Sequence, residues 1–369
     1  MHLVEHRVRG FSISCALASL LIAASCYGQT LEHLSAVPSW ETGPTGSTIS
    51  FRGIAALNTK TVWLSGAKGT VLKSADGGST WKDVSPQGFA EIDFRCICLL
   101  SQQVAIIASA GSPAVLLRTT NAGKSWTQVY RNDSSQAFFD SMRFWDAEKG
   151  IALSDPVDGR LLIVETANSG RSWEQIAPEL LPKSGSGEAA FAASNRSIAL
   201  GEDGQLWIGT GGTDSTKCRV YYRGGWGQSF ELQTVPLTSS PTQGIFALEY
   251  HESKQTNLLV AVGGDYRQNE PGLENQFMAN TCLFSRDAGH SWLSPSKPPG
   301  VYQSSVVATK ASSGKPVYIS TGPIRSHIAY DANHWIPFPG GFHALATQEN
   351  AVFACGSNGR FARLVWNED

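Results

Sequence analysis

One eight-residue phrase occurs four times in this sequence, and the repetition limits the folds that the chain can adopt. Its pattern is Ser/Thr-x-Asp/Asn-x-Gly-x-Ser/Thr-Trp, which is the pattern of an Asp-box. The four copies occupy residues 74–81, 119–126, 166–173 and 285–292. Four copies in one register indicate a fold built from repeats of one structural unit, so the remaining sequence can be divided into copies of that unit.

The spacing of the copies gives the length and the number of the units. The first three Asp-box tryptophans are 45 and 47 residues apart. A degenerate copy lies at residues 223–230, and a shortened copy lies at 330–335. The 34 residues that follow the shortened copy and the 12 residues of 29–40 together make one further unit. The sequence therefore predicts seven units.

Each unit contains four short apolar runs separated by turn residues. In the first unit the runs are Phe51–Leu57, Thr61–Ser65, Thr70–Ser74 and Thr80–Val84. Four strands in a unit of this length are typical of a β-propeller blade. The last unit has only three runs, and Leu31–Trp40 is expected to supply its fourth strand. We therefore predict an all-β, seven-bladed β-propeller of four-stranded antiparallel blades, its ring closed by an N-terminal strand that joins the C-terminal blade.

We interpret the Asp-box as a structural motif. Its Asp or Asn is expected to cap the turn between the third and fourth strands, while its Gly adopts a positive φ. Its Trp is expected to pack toward the neighbouring blade. A catalytic or calcium-binding motif would not need equivalent copies in successive blades. The residues assigned this role are Asp76, Trp81, Asn121, Trp126, Asn168, Trp173, Asp287 and Trp292.

The N-terminus has the features of an export signal. Arg7 and Arg9 precede an apolar stretch, residues 11–24, that is too short to cross a bilayer. We expect a signal peptide at residues 1–28 and a single propeller domain at 29–369, in a secreted or periplasmic protein. The alternative is cleavage before Cys26, which would leave a lipid anchor on that residue. No later segment is predicted to span a membrane.

Composition excludes several classes of function. The formal net charge is −2 and no basic run occurs, so a nucleic-acid partner is not expected. The Gly-rich segment 209–212 lies between strands and opens no helix, so it is not a dinucleotide loop. We expect a monomer. We also expect no metal or cofactor, because no Cys or His pair has metal-ligand spacing. Five scattered cysteines remain after the signal and predict no disulfide framework: Cys96, Cys98, Cys218, Cys282 and Cys355.

Candidate binding residues gather where the first strands of the blades begin. In a propeller these starts surround one mouth of the central channel, opposite the Asp-box turns. Aligning them places one polar residue at the same position in each unit: Arg52, Arg95, Asp140, Glu188, Gln243, Gln303 and His343. The loops after the second strands add Asp155, Asp158, Asp265 and Tyr266. Long loops on one rim commonly carry binding sites, so we predict that this mouth binds a protein segment, with a glycan as the alternative ligand.

A glycoside hydrolase of the sialidase type is the competing hypothesis, because Asp-boxes also occur in sialidases. Glu188, Asp140 and Tyr266 would then be the catalytic residues. A sialidase needs three arginines around one carboxylate, whereas this ring offers only Arg52 and Arg95. The sequence therefore favours binding without turnover, and it leaves catalysis open.

Several motifs resemble the photosystem II stability/assembly factor family of BNR-type propellers, and in particular its bacterial, non-photosynthetic branch. They are Phe51-Arg-Gly-Ile54, Asp93-Phe-Arg95, Ser109-Ala-Gly-Ser-Pro113, Phe138-Phe-Asp140, Asp155-Pro-Val-Asp-Gly159 and Gly263-Gly-Asp-Tyr266. The resemblance implies an exported binding or assembly scaffold, since photosynthetic members bind a newly made membrane protein through an arginine-rich face. Relatives in the bacterial branch are often labelled oxidoreductases or glycosyl hydrolases. This chain departs from the arginine-rich pattern, because acidic residues lie beside its two ring arginines.

Overall fold

Short antiparallel strands make up almost all of the regular structure of this protein. The computed structural model describes residues 37–212, 216–252, 257–274 and 276–366, and residues 39–365 form the compact unit considered below. The two helices in the described ranges are single 3-10 turns, Pro178–Leu180 and Tyr266–Asn269. Neither has the length and apolar character needed to cross a bilayer. The predicted signal peptide and Cys26 lie outside the described residues.

The strands form seven sheets, which we number as blades in chain order. Blade 1 contains β2 (Phe51–Ala56), β3 (Val62–Gly66), β4 (Val71–Ser74) and β5 (Lys82–Asp83). Blade 2 contains β6 (Phe94–Leu99), β7 (Ala105–Ser109), β8 (Ala114–Thr119) and β9 (Thr127–Asn132). Blade 3 contains β10 (Phe139–Phe144), β11 (Gly150–Val157), β12 (Arg160–Thr166) and β13 (Glu174–Gln175). Blade 4 contains β14 (Ile198–Leu200), β15 (Leu206–Thr210), β16 (Lys217–Arg223) and β17 (Glu231–Thr238).

The remaining blades complete the ring. Blade 5 contains β18 (Gln243–Glu252), β19 (Asn257–Asp265) and β20 (Cys282–Ser285). Blade 6 contains β21 (Ser305–Lys310), β22 (Pro316–Thr321), β23 (Ser326–Ala329) and β24 (Ile336–Phe338). Blade 7 contains β25 (Ala344–Gln348), β26 (Ala351–Cys355), β27 (Arg360–Val365) and β1 (Ser39–Pro44). The predicted seven-bladed propeller is confirmed, with four antiparallel strands in six blades.

Blade 5 has only a remnant of the predicted fourth strand. Where that strand would run, a single bridge joins Phe284 to Leu293. The following residues include Pro295, Pro298 and Pro299. Proline has no backbone N–H to donate to a sheet ladder, so these residues prevent the strand from extending.

The ring closes within blade 7, as predicted, through the N-terminal strand β1. It pairs antiparallel to β27, from Ser39 opposite Val365 to Pro44 opposite Arg360. The strand overlaps the predicted run Leu31–Trp40 at Ser39 and Trp40 and extends four residues beyond it. Residues 31–36 of that run lie outside the described part of the chain. Pairing with six residues of β27 covers an edge that would otherwise be exposed.

The hydrophobic core lies between adjacent blades. The second strands β3, β7, β15 and β26 are buried at every position because each lies between two neighbouring sheets. Between blades 1 and 2, for example, Trp63 packs in one cluster with Ile97, Ile107 and Leu117. Burial on both faces explains why these strands are continuous apolar runs and lack the alternation of a half-exposed strand.

The Asp-box turns have the predicted geometry. In blade 1 the Asp76 carboxylate accepts hydrogen bonds from the backbone N–H of Thr80 at 2.9 Å and from its hydroxyl at 2.6 Å. These bonds, with one from Ser74, lower the pKa of Asp76 to about 2. Gly78 has a φ of 97°. In blade 2 the indole N–H of Trp126 donates to the backbone of blade 1, so the motif also joins neighbouring blades.

One insertion changes the centre of the ring. Ala189 pairs with Gly211 at the inner edge of blade 4, but the inner strand β14 begins only at Ile198. The intervening residues 190–197, which we call the channel plug, are mostly buried. Asn195 of the plug accepts from the N–H of Met142 in blade 3 at 2.6 Å and donates to Ile97 O in blade 2 at 3.1 Å. The plug therefore crosses the channel and binds the inner strands of other blades.

Candidate functional site

Bulges at the starts of inner strands aim side chains into the channel mouth. The antiparallel register shifts by one residue at Arg52, at Arg95 and at Asp140, at equivalent positions in blades 1 to 3. In blade 5 the register shifts between Ile245 and Ala247, so Phe246 is the bulged residue. A bulge re-aims a side chain without ending the strand. The mouth is therefore lined by bulged residues that include an aromatic one.

Three of these bulged residues, Arg52, Arg95 and Phe246, and the channel plug line a pocket of about 320 Å³, which we call the mouth pocket. Its volume is at the lower end of the range for ligand sites. The lining residues are Arg52, Arg95, Phe191, Ala192, Ala193, Phe246, Tyr266, Asn269, Tyr302 and Pro323. Four blades and the plug contribute to this lining, so it is assembled by the closed ring.

The two arginines of the mouth pocket have different surroundings. Arg95 donates to the Asp93 carboxylate at 2.7 Å and to the carbonyl oxygen of Ala192 in the plug at 3.5 Å. Arg52 has no hydrogen bond or ion pair with any residue in the described ranges. Burial, followed by the nearby charge of Arg95, lowers the pKa of Arg52. The pocket therefore contains one guanidinium that lacks a counter-ion.

Aromatic rings form the walls of the mouth pocket. Phe191 of the plug stacks on Phe246 at 4.0 Å between ring centroids, and Tyr302 meets Phe246 edge-on at 4.7 Å. Tyr302 is buried, and burial raises the pKa of its hydroxyl. Tyr266 stands at the rim with 43% of its surface exposed. A ligand with both an anionic group and an apolar body would satisfy this combination of walls and charge.

Asp140 and Asp155 lie together at the edge of the mouth. Both carboxylate oxygens of Asp140 are buried, and neither has a hydrogen-bond partner among the residues that the structure describes. Burial raises the pKa of Asp140, and the charge of Asp155 raises it further. Burial also raises the pKa of Asp155, to about 7, although this carboxylate accepts from the plug N–H of Ala190 at 3.0 Å. The pair therefore lies beside the attachment of the plug.

Glu188 is not part of the predicted polar ring. Its side chain is fully buried and forms an ion pair with Arg219. It also accepts from the hydroxyl of Thr210 and the N–H of Gly185, each at 2.6 Å. The plug insertion displaces the true start of β14, and the alignment of Glu188 with the ring was therefore wrong.

The other predicted residues have separate environments. Gln243 donates to Asp265 at 3.2 Å, and Asp265 is paired with Arg267, so these groups lie on the rim beside the pocket. Gln303 is fully buried and accepts from Ser320 inside blade 6. Its assignment to the channel lining was therefore also wrong, because its side chain turns into the blade.

His343 and Asp158 complete the predicted set. His343 directly precedes β25, and its buried Nδ1 has no partner. Burial, followed by the charges of Arg52 and other arginines, lowers the pKa of His343 to about 3. Asp158 is exposed in the turn between β11 and β12, with a φ of 52°. Of the predicted binding residues, the structure thus brings Arg52, Arg95 and Tyr266 into one pocket.

Sequence reasoning missed the aromatic and apolar part of the site. Phe191 follows Glu188 by three residues, and Phe246 follows Gln243 by three, so each lies close to a residue that the alignment selected for its polarity. A Phe at a bulge has no polar signature. In blades 1 to 3 the bulged residue directly follows a Phe, namely Phe51, Phe94 or Phe139, and this pattern could have located those bulges. In blade 5 the bulged residue is itself a Phe, Phe246, so the pattern does not find it.

Comparisons with known proteins agree with this architecture. The sequence profile of a family described as photosynthesis system II assembly factor YCF48 matches residues 34–135. The chain is similar to the photosystem II assembly factor family. The match covers the segment that contains the Asp-boxes of blades 1 and 2 and both mouth arginines. No curated protein sequence matches the chain.

Solved structures show the same fold at low sequence identity. YCF48 bound to D1 peptide is 15% identical, with a TM-score of 0.60 over 90% of this chain and 99% of that chain. YCF48 from Cyanidioschyzon merolae is 14% identical, with a TM-score of 0.60 over 88% and 98%. A catalytically inactive virginiamycin B lyase from Staphylococcus aureus with quinupristin is 11% identical, with a TM-score of 0.63 over 89% and 99%. These similarities establish the propeller fold.

Proposed function

We propose that this protein is a binding or assembly scaffold that holds a protein segment in the mouth pocket. The observation that carries the proposal is the guanidinium of Arg52, which lies without a counter-ion in an aromatic pocket of about 320 Å³. A peptide can supply a carboxylate to Arg52 and an apolar side chain to the rings of Phe246 and Tyr266. Similarity to a family of assembly factors, one of them solved with a peptide, supports this ligand class over a glycan.

The proposal treats the site as one that binds without turnover. Glu188, the acid of the hydrolase alternative, is already engaged by Arg219, Thr210 and Gly185. Tyr266 is at the rim of the pocket, which Glu188 does not line. If hydrolysis of a sialoside or aryl glycoside were observed and were lost on Glu188→Gln, the hydrolase alternative would replace this proposal.

We further propose that the scaffold acts outside the cytoplasm, after removal of residues 1–28. The charged start and the short apolar stretch of the sequence support export. Mass spectrometry of the mature N-terminus from a fractionated cell would test it. A free N-terminus near Gln29 in the exported fraction is expected, whereas a lipid-modified Cys26 would support the anchored alternative and an intact N-terminus in the cytosol would contradict export.

The binding proposal can be tested with peptides selected from a random displayed library. We expect selected peptides to carry an acidic or terminal carboxylate beside an apolar residue. Arg52→Gln should weaken their binding at least tenfold, because a hydrogen bond to a charged group contributes about 1.5–3 kcal/mol. Fluorescence anisotropy would measure the Kd. Arg131→Gln is the control, since Arg131 is exposed and pairs only with exposed Asp133.

Arg131→Gln should bind the selected peptides with the Kd of the wild type, whereas Arg52→Gln should bind them more weakly. Equal affinity of the wild type and Arg52→Gln for every selected peptide would contradict the proposal. Binding of a glycan from a glycan array, with no peptide selected and with the same dependence on Arg52, would keep the site and change the ligand class.

A further inference from the structure

A second cavity lies at the opposite end of the central channel. The inner strands run from the mouth toward the Asp-box face, where the turn at Gly77 hydrogen-bonds to Lys60 in the loop between the first two strands of blade 1. At that end the channel contains a cavity of about 240 Å³, which we call the far cavity. The far cavity is lined by the last residues of several inner strands and by Ser194, Asn195 and Arg196 of the plug.

Two arginines share the far cavity, and only one of them has a carboxylate partner. Arg196 is paired with Glu249 at 3.0 Å, and both side chains are nearly buried. The other oxygen of Glu249 accepts from the N–H of Ala308 at 3.3 Å, so both oxygens of this carboxylate already have a partner. Arg143 lines the same cavity and forms no ion pair with a residue that the structure describes.

Two residues that line the far cavity each carry a buried hydrogen-bond donor that has no partner among the described residues. These donors are Nη1 of Arg143 and the hydroxyl of Thr347. A buried donor without an acceptor is unfavourable for stability, and more so when the group is charged. Two such donors in one cavity therefore indicate an acceptor that the protein itself does not provide.

The remaining groups in the cavity do not neutralise the charge. The thiol of Cys98 donates to Met142 O at 3.2 Å, and burial raises its pKa to about 11, so it is uncharged near neutral pH. Burial and then the charge of Arg143 lower the pKa of Arg196 to about 10, so Arg196 remains protonated. The cavity is therefore lined by two cations, and Glu249, which pairs with Arg196, is not among its lining residues.

We propose that the far cavity binds a small oxyanion, in contact with Arg143 and Thr347 and close to Arg196. Guanidinium groups bind carboxylate, sulfate and phosphate oxygens with strong, charge-assisted hydrogen bonds. A volume of about 240 Å³ is below the usual range for drug-sized ligands, so the site fits a free anion or the anionic end of a larger molecule. The anion would join blades 3 and 7 and the plug, and it would stabilise the ring.

Thermal unfolding of the full chain tests this inference with sulfate, phosphate and acetate as separate probes. Sodium chloride at matched ionic strength is the reference in each case. A saturable rise in Tm is expected, of about 4 °C at a concentration ~100-fold above the Kd. Saturation by sulfate or phosphate alone assigns a tetrahedral ion, whereas saturation by acetate assigns a carboxylate group. A rise no larger than that with chloride, for all three probes, would overturn the proposal.

Three variants test whether the rise in Tm comes from an anion bound in the far cavity. Arg143→Gln should reduce the affinity for the anion at least tenfold, yet keep or raise the Tm in anion-free buffer, because it removes a positive charge close to Arg196. Thr347→Val should weaken binding less, since it removes one hydroxyl and keeps the side-chain shape. Arg131→Gln removes an exposed cation that pairs with Asp133 and does not line the far cavity, so it should leave the anion effect unchanged. Loss of the effect in Arg131→Gln, or its full retention in Arg143→Gln, would contradict the assignment.

Discussion

Asp140 and Asp155 show how burial at the channel mouth determines the behaviour of single residues. Their carboxyl groups are close enough that the charge of one raises the pKa of the other. An ordinary Asp has a pKa near 3.9, whereas burial raises the pKa of Asp155 to about 7. The folded protein therefore binds more protons than the unfolded chain between about pH 4 and pH 7. The stability from this pair is fully present below pH 4 and is lost as the pH rises through 7.

We predict that Asp140→Asn raises the Tm by several degrees at pH 8 and has little effect at pH 4.5. The amide is uncharged at both values and can donate to the neighbouring Asp155 carboxylate, so the like-charge repulsion at high pH is removed. Calorimetric unfolding between pH 4 and pH 8 would measure the difference. Asp158→Asn is the control, because Asp158 is exposed in the adjacent turn. Equal shifts at both pH values would contradict the assigned pKa direction.

At the scale of structural elements, the channel plug is what converts an open ring into two separate cavities. Its residues contribute Phe191 to the mouth pocket and Arg196 to the far cavity. Asn195, with a φ of 62°, anchors it to blades 2 and 3 through both ends of one amide. The left-handed backbone and the two hydrogen bonds place this residue under tight geometric constraint.

Asn195→Ala is predicted to lower the free energy of unfolding by about 2–4 kcal/mol, since the backbone N–H of Met142 and the carbonyl of Ile97 would both lose a buried partner. Asn195→Gly also removes the amide but relieves the positive φ. It should therefore be less destabilising than the alanine variant. Urea unfolding of both variants separates the two contributions. An alanine variant as stable as the wild type would show that the plug is not anchored by this side chain.

The closing strand β1 is the second element with a specific energetic role. Trp40 packs edge-on against Phe342 at 5.1 Å and donates its indole N–H to the hydroxyl of Ser326 at 3.0 Å. It therefore joins blade 7 to blade 6 at the point where the chain ends meet.

We expect Trp40→Ala to cost about 2–3 kcal/mol, somewhat less than a fully buried tryptophan, because the side chain is half-buried. Trp40→Phe keeps a ring in place and loses only the bond to Ser326, so a cost of about 1 kcal/mol is expected. Denaturant unfolding would compare the two. Similar costs for both variants would mean that ring packing at the closure contributes little.

At the scale of the whole molecule, much of the architecture could be predicted because it repeats locally. Each Asp-box turn forms from residues within one short phrase, so the spacing of the full, degenerate and shortened copies, with the residues left at the two ends, is enough to predict seven blades. The same reasoning located Arg52, Arg95 and Asp140, which occupy equivalent bulges in blades that follow the repeat closely. It also predicted the blade in which the ring closes.

The rest depended on contacts that no repeat encodes. The plug is an insertion in one blade, and it shifted the alignment at Glu188 and moved the start of β14 to Ile198. Phe191 and Phe246 are distant in sequence, yet they stack at 4.0 Å to form one wall. The predicted ring is selected by polarity alone, so it omits the aromatic residues that line the pocket. It includes Gln303 because the sequence does not show that this polar side chain is buried.

The propeller thus combines a repeating frame with a non-repeating centre, where we propose that a peptide binds. A structure of the protein with a selected peptide bound would test this proposal. We predict a peptide carboxylate within 4 Å of the Arg52 guanidinium and an apolar peptide side chain against Phe246 and Tyr266. A peptide bound at the Asp-box face, or on the outer strands with the mouth pocket unchanged, would contradict the proposal.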